Sequence, residues 1–136
     1  TNWVGTLPPG GINFGDKTSA QGGLNTLNIH SGGGDIVIKG QSNSSSAGVQ
    51  WFSGSTGATQ LINSGTGTVT IDGLSTSSTA HGIEFMSYAS VVHPTIISSN
   101  TTSAAIQIKG ETSSTNNRAG YQGTVILEAN GIGGGI

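Results

Sequence analysis

The sequence contains no cysteine and few charged residues, and each absence excludes a class of protein. Without cysteine the chain can form no disulfide and no cysteine-ligated metal site. Only four Lys and Arg residues are present and the formal net charge is −2, which argues against a nucleic-acid-binding surface. No apolar run approaches the ~18 residues that a membrane-spanning helix needs, so no membrane insertion is expected.

Hydrophobic residues are also scarce, which raises the question of whether the chain folds. They make up 32% of the sequence, against about 45–50% in ordinary globular domains. Disorder usually combines low hydrophobicity with a high net charge, and the second property is missing. The apolar residues are mainly Ile and Val in short alternating runs between Gly and Ser clusters, a pattern typical of β-strands. The composition therefore predicts ordered β-structure.

One short motif occurs three times and sets the repeat. Its copies are Ile36-Val37-Ile38-Lys39-Gly40, Val69-Thr70-Ile71-Asp72-Gly73 and Ile106-Gln107-Ile108-Lys109-Gly110. Ile38 and Ile71 are 33 residues apart, and Ile71 and Ile108 are 37 residues apart. Similar short strands flank each copy, so one unit holds about three strands, and no window has the periodicity and caps of a helix.

Two topologies could use such a unit. Neighbouring strands could pair in an antiparallel meander, or equivalent strands of successive units could stack in parallel as a β-solenoid. Stacking is favoured because alignment of the units places like residues over like, as stacked coils require. The alignment predicts two inward columns and one outward column: Ile36, Val69 and Ile106; Ile38, Ile71 and Ile108; and, facing outward, Val37, Thr70 and Gln107.

The same alignment extends to other side chains. It places Val49 over Ile83 and Trp51 over Phe85. It also predicts a structural charge ladder of alternating sign, because strands in a sheet lie about 4.8 Å apart and opposite charges on neighbouring strands attract. The members of this ladder are Lys39, Asp72 and Lys109.

The first residues do not fit the repeat. Residues 1–23 contain Pro8-Pro9-Gly10-Gly11 and little alternation, so they are predicted to be an irregular leader, a partial coil or a cap. Residues 24–136 are predicted to hold the solenoid repeats.

The closing stretch supports a resemblance to a known family. Gly123-Thr124-Val125-Ile126-Leu127-Glu128-Ala129-Asn130-Gly131-Ile132-Gly133-Gly134-Gly135-Ile136 resembles the repeats of filamentous-haemagglutinin-like adhesins, which Gram-negative bacteria export by two-partner secretion. Those repeats look like Gly, an alternating apolar strand, Ala, a polar residue, Gly and Ile. The resemblance implies a right-handed parallel β-helix at the bacterial cell surface and covers the chain from about residue 24 onward.

No motif of an active or metal site is present. The six acidic residues form no paired-carboxylate motif for glycoside or polysaccharide cleavage. The three histidines lack metal-ligand spacing and are expected to be solvated, while Gly32-Gly33-Gly34-Asp35 is interpreted as a plain turn rather than a calcium repeat. No catalytic residue, cofactor or metal is therefore expected. Asn43 and Asn100 begin Asn-X-Ser/Thr sequons in polar turns and are candidate glycosylation sites.

These observations predict an all-β right-handed parallel β-helix of about three to four coils. The expected function is that of a structural rod or filament segment of a secreted or surface bacterial adhesin, without catalysis. The expected partners are further solenoid coils, by end-to-end self-association or covalent continuation, and host or cell-surface glycans. The alternative is a carbohydrate-binding or carbohydrate-cleaving β-helix, such as a phage tailspike or a polysaccharide lyase.

Overall fold

The described residues of the chain form β-strands and no helix. The structure, a computed structural model, describes residues 11–14, 26–53, 59–87, 93–115 and 120–136. The strands of these ranges are β1 (Ile12–Phe14), β2 (Thr26–His30), β3 (Ile36–Ser42), β4 (Val49–Ser53), β5 (Thr59–Asn63), β6 (Val69–Ser75), β7 (Ile83–Ser87), β8 (Thr95–Ser98), β9 (Ile106–Thr112), β10 (Tyr121–Gly123) and β11 (Ile126–Ala129). None of these ranges contains a helix long and apolar enough to cross a membrane.

The strands form three separate parallel sheets. Sheet A has the order β1-β4-β7-β10, sheet B has β2-β5-β8-β11, and sheet C has β3-β6-β9. From β2 onward, successive strands along the chain belong to sheets B, C and A in turn. We call each set of three such strands, for example β2, β3 and β4, a layer. All pairings between the described strands are parallel, so the meander is wrong. The arrangement is consistent with a β-solenoid, although no described ladder joins one sheet to another.

The register in sheet C is the one that the repeat predicts. Ile36 pairs with Val69 and Val69 with Ile106, while Ile38 pairs with Ile71 and Ile71 with Ile108. Five of these six side chains are buried, and Ile108 is partly buried against them. The outward positions Val37 and Thr70 are half-exposed, and Gln107 is exposed. The alternation of β-branched apolar and polar residues therefore selects the face that each strand buries.

The buried apolar side chains of the described strands form a core between the sheets. Sheet B contributes Ile62 and Ile96, and sheet A contributes Val49, Trp51, Ile83 and Phe85, with the predicted pairs Val49–Ile83 and Trp51–Phe85 confirmed. The ring of Trp51 lies 4.4 Å from that of Phe14 and 6.1 Å from that of Phe85 between centroids. Like rings thus pack on like rings from one layer to the next.

Hydroxyl side chains shape the turn after each strand of sheet C. Ser42, Ser75 and Thr112 occupy one column, and in each case the hydroxyl oxygen accepts a hydrogen bond from the backbone N–H two residues later. Ser42 and Ser75 are buried. Short hydroxyl side chains satisfy backbone donors locally in this way, which explains part of the Ser and Thr content.

Part of the range 1–23 joins the stack. Ile12, Asn13 and Phe14 form β1 and pair in parallel with Val49, Gln50 and Trp51 of β4. Residues 1–10 and 15–25 lie outside the described residues, so the predicted boundary at residue 23 lies there too.

Candidate functional site

The second face of sheet A carries a column of amide and carboxyl side chains. Asn13, Gln50, Glu84 and Gln122 are aligned by the parallel register, one from each strand. We call these four residues the polar column. Gln50 and Glu84 are buried, whereas Gln122 is exposed. The column therefore crosses the whole of sheet A from β1 to β10, with its buried members on the two middle strands.

Hydrogen bonding within the polar column is incomplete. The Nε2 amide of Gln50 donates to Oε2 of Glu84, which compensates the burial of that carboxyl group. Oδ1 of Asn13 is shielded from solvent and has no hydrogen-bond partner within the described ranges. A buried acceptor without a donor is costly, so this atom marks a position where a further donor would stabilise the protein.

No other acidic residue of the described ranges lies on sheet A with Glu84. Asp72 and Glu111 lie on sheet C, Glu128 lies on sheet B, and Asp35 precedes β3. Among the residues that the structure describes, no group of three His, Asp or Glu side chains could hold a metal ion. Asp16 lies outside the described residues. The polar column thus offers hydrogen-bonding groups, and no second carboxylate is aligned with Glu84.

One expectation about the histidines is wrong. His30 at the end of β2 is exposed, as expected, and His93 is half-exposed. His81, immediately before Gly82 and β7, is buried rather than solvated. Ala80 beside it is buried as well, because this connector packs against the stack instead of looping into solvent.

Asp35 connects two layers instead of forming a calcium turn. Its Oδ1 accepts from the backbone N–H of Thr68 at 2.8 Å and from the Thr68 hydroxyl at 2.9 Å. The neighbouring turns are also tied by hydroxyls, since Oγ of Ser64 and Oγ of Ser98 both donate to the carbonyl oxygen of Gly67, at 2.6 and 2.7 Å. The acid that suggested a metal ligand therefore accepts hydrogen bonds from the next repeat.

We expect the pKa of Asp35 to lie below the ordinary value of an aspartate side chain. The backbone and side-chain hydrogen bonds from Thr68 lower the pKa of Asp35 from 3.8. Because the pKa is depressed in the folded state, the stabilisation is present above the unfolded value and is lost as the pH falls through the folded value. NMR titration of the Asp35 carboxyl carbon should give a pKa below 3.8, and the melting-temperature difference between wild type and Asp35→Asn should shrink on acidification. A pKa at or above 3.8 would contradict this assignment.

The residues of the charge ladder lie in register, but their ion pairs differ. Lys39 pairs with Asp72 and Asp72 with Lys109 along the ladder. Nζ of Lys39 is 3.8 Å from Oδ2 of Asp72, and both side chains are partly solvated, so this pair adds little stability. Lys109 instead bonds to Glu111 on its own strand, which raises the pKa of Lys109, with a smaller contribution from Asp72.

The two candidate glycosylation sites differ in their environment. Asn43 is exposed in the turn after β3. The Nδ2 atom of Asn100 donates to the carbonyl oxygen of Thr66 at 2.7 Å, and its Oδ1 accepts from the backbone N–H of Thr102 at 2.8 Å. A glycan on Asn100 would be attached to the Nδ2 atom that already links two repeats, whereas Asn43 is exposed and is therefore the more accessible acceptor.

Both ends of the stack expose apolar surface. At the β1–β3 end, a cleft of about 780 Å³ is lined by inward-facing apolar side chains of the first strand in each sheet, among them Ile12, Leu27 and Ile36. At the opposite end Ile132 is 95% exposed and Ile136 is 68% exposed.

The geometry defines an all-β protein whose three parallel sheets grow by one strand per repeat. No protein-family model, curated protein or solved structure significantly matches the chain. The resemblance to filamentous-haemagglutinin-like repeats therefore rests on the sequence pattern of residues 123–136 and the repeats before it.

Proposed function

We propose that the chain is a right-handed parallel β-helix of three to four coils that serves as a rod segment and has no catalytic activity. The observation that carries the proposal is the rotation of successive strands through sheets B, C and A, with parallel pairing at each step. Chains that return to the same sheet by a crossover to a parallel strand do so right-handedly in about 98% of cases. Such a stack lengthens along one axis with each repeat.

The setting we propose for this rod is a secreted or surface-exposed bacterial adhesin. The sequence pattern of the closing stretch supports it, and β11, which contains Ile126-Leu127-Glu128-Ala129, is a regular strand of sheet B. The hydrogen-bonding groups of several turns also favour a structural role, because Asp35 and Ser98 contact the neighbouring repeat. Glycans on host or cell surfaces are the ligands we propose for the parent adhesin.

A tandem series tests the rod. We would join one, two, four and eight copies of the chain covalently and measure particle length by negative-stain electron microscopy. Each copy adds four strands to sheet A, so the expected increment is four strand spacings of about 4.8 Å, or about 19 Å per copy. The same series carrying Gly73→Ala in each copy is the control, because a Cβ there would lie 2.3 Å from the carbonyl oxygen of Gly82 and would disrupt the packing of sheets C and A within one layer. Wild-type particles that consist of separate globules joined by flexible links would contradict the rod.

A polysaccharide panel tests the absence of catalysis. We expect no release of reducing or unsaturated ends by the wild-type chain. Turnover that disappears in the Glu84→Gln variant would overturn the proposal and favour the carbohydrate-cleaving alternative, because Glu84 is the buried carboxyl group of the polar column.

A further inference from the structure

The described strands leave the two ends of the stack staggered in opposite senses. At the first end, β1 of sheet A lies one strand beyond the layer formed by β2, β3 and β4. At the second end, β11 of sheet B lies one strand beyond the layer formed by β8, β9 and β10. Among the described strands, one end therefore carries an extra strand in sheet A, and the other carries an extra strand in sheet B.

We propose that a second copy of this chain stacks head to tail on the first, and that the two copies share one layer. In this layer β11 of the first copy supplies the strand of sheet B, and β1 of the second copy supplies the strand of sheet A. The next layer begins with β2 of the second copy on β11 of the first. This inference rests on the proposed solenoid, since only a continuous stack lets the two staggers fit together.

Sheet C has a place in the shared layer too. The N–H of Ile106 donates to the carbonyl oxygen of Gly135 at 3.1 Å, as the N–H of Val69 donates to Ala105 at 2.9 Å. Ile136 thus occupies the next position in the column of Ile36, Val69 and Ile106, and the first copy begins the sheet C strand of that layer.

Extending the register of sheet B brings two complementary side chains together. In the observed sheet, His30 pairs with Asn63, Asn63 with Ile97, and Ile97 with Glu128. The next residue in this column is His30 of the second copy, which therefore lies beside Glu128 of the first. Both side chains are exposed in the single chain. An imidazole can donate a hydrogen bond in either protonation state, and a carboxylate accepts it.

The polar column gives an independent indication. In sheet A, Gln122 ends the column at one end, and Asn13 begins it at the other. Head-to-tail stacking places Gln122 of the first copy beside Asn13 of the second. The exposed amide of Gln122 is then positioned to donate to Oδ1 of Asn13, the buried acceptor that has no partner within the described ranges.

The apolar surfaces of the two ends are covered by the same contact. The apolar part of the lining of the cleft at the first end consists of the half-buried Ile12, Phe14, Leu27 and Ile29 and of other aliphatic residues, among them the buried Ile36 and Ile38. The second end presents Ile132 and Ile136, together with the ring of Tyr121, which already packs 5.8 Å from Phe85 between centroids. Phe14 of the second copy would extend this row of rings. Burial of apolar surface at both ends supplies the driving force for association.

A charge exchange at the sheet B contact tests the proposal. We would measure the dissociation constant of wild type, His30→Glu, Glu128→Lys and the double variant by sedimentation velocity. Wild type should associate with increasing concentration. Either single substitution places like charges or a weaker pair across the contact, and should raise the dissociation constant about fivefold. The double variant restores a pair of opposite charges and should return to within about twofold of wild type.

Mixing the two single variants is the sharper measurement. In either variant alone, the substituted residue weakens the contact between residues 30 and 128 of neighbouring copies. In an equimolar mixture the carboxylate introduced by His30→Glu meets the ammonium group introduced by Glu128→Lys, so association should recover. Circular dichroism of each variant checks that the fold is unchanged. A wild-type chain that stays monomeric at high concentration, or association that ignores these charges, would overturn the proposal. Rods from covalent tandem copies under the same conditions would leave the proposed function intact.

Discussion

Replacing Gly73 by alanine is expected to destabilise the protein by about 3 kcal/mol, which is a large part of the stability of a domain of this size. A Cβ atom at this position would lie 2.3 Å from the carbonyl oxygen of Gly82 and 2.6 Å from Cγ1 of Ile83. Rotating a side chain cannot relieve both contacts, because the first partner is backbone. The two segments must move apart, and the sheet C and sheet A strands of that layer then lose their packing.

The same close approach occurs in each full layer. Gly40 and Gly110 share the column of Gly73, and a Cβ on either would lie 2.0 Å from a carbonyl oxygen, of Gly48 and Gly120 respectively. Two backbone segments of one layer approach each other here at a distance that only glycine permits. Gly73 is the most informative position because its layer lies between two others.

The matched control is Gly34→Ala. Gly34 is exposed, and a Cβ there would meet only Cβ of Ser31, at 4.0 Å. We expect a change within about 0.5 kcal/mol, or a slight stabilisation, because alanine restricts the unfolded chain. Urea denaturation followed by far-UV circular dichroism measures both variants. Equal stabilities of Gly73→Ala and Gly34→Ala would contradict the close approach.

The repeat predicted sheet C because its periodic signal is carried by the buried residues themselves. Ile38, Ile71 and Ile108 recur in a fixed alternation, and a shift of one residue would turn each strand to the wrong face. The glycine after each motif was visible in the sequence as well. That it meets a second glycine across the layer, such as Gly82 opposite Gly73, depends on how two sheets approach and could not be obtained from periodicity.

The first strand and the polar column escaped prediction for different reasons. Strand β1 has three residues and stands near prolines, although Gly11-Ile12-Asn13-Phe14 follows the same order of residue types as Gly48-Val49-Gln50-Trp51. Gln50 and Glu84 alternate with buried residues and therefore matched the pattern of solvent-facing positions. Tertiary packing buries both side chains in spite of this pattern. Their burial is compensated because the amide of Gln50 and the carboxyl group of Glu84 form a hydrogen bond with each other.

Replacing Trp51 by alanine is expected to cost about 3–5 kcal/mol, because the side chain is fully buried in the core. Its ring packs between those of Phe14 and Phe85. Its removal therefore opens a cavity and interrupts the row of aromatic rings along sheet A. The indole Nε1–H additionally donates to Oε1 of Gln60 at 2.6 Å, which ties sheet A to sheet B. Both losses fall at the centre of the stack, where neither can be repaired by exposure to solvent.

The Trp51→Phe variant separates the two contributions. It keeps an aromatic ring between Phe14 and Phe85 but removes the donor to Gln60, so we expect a smaller loss of about 1–3 kcal/mol. The stabilities should be measured by urea denaturation followed by far-UV circular dichroism, since Trp3 also contributes to fluorescence. The expected order is wild type, Trp51→Phe and Trp51→Ala, from most to least stable. If Trp51→Ala retained the stability of wild type, the ring would not be part of the core, and the register that stacks Trp51 on Phe85 would be wrong.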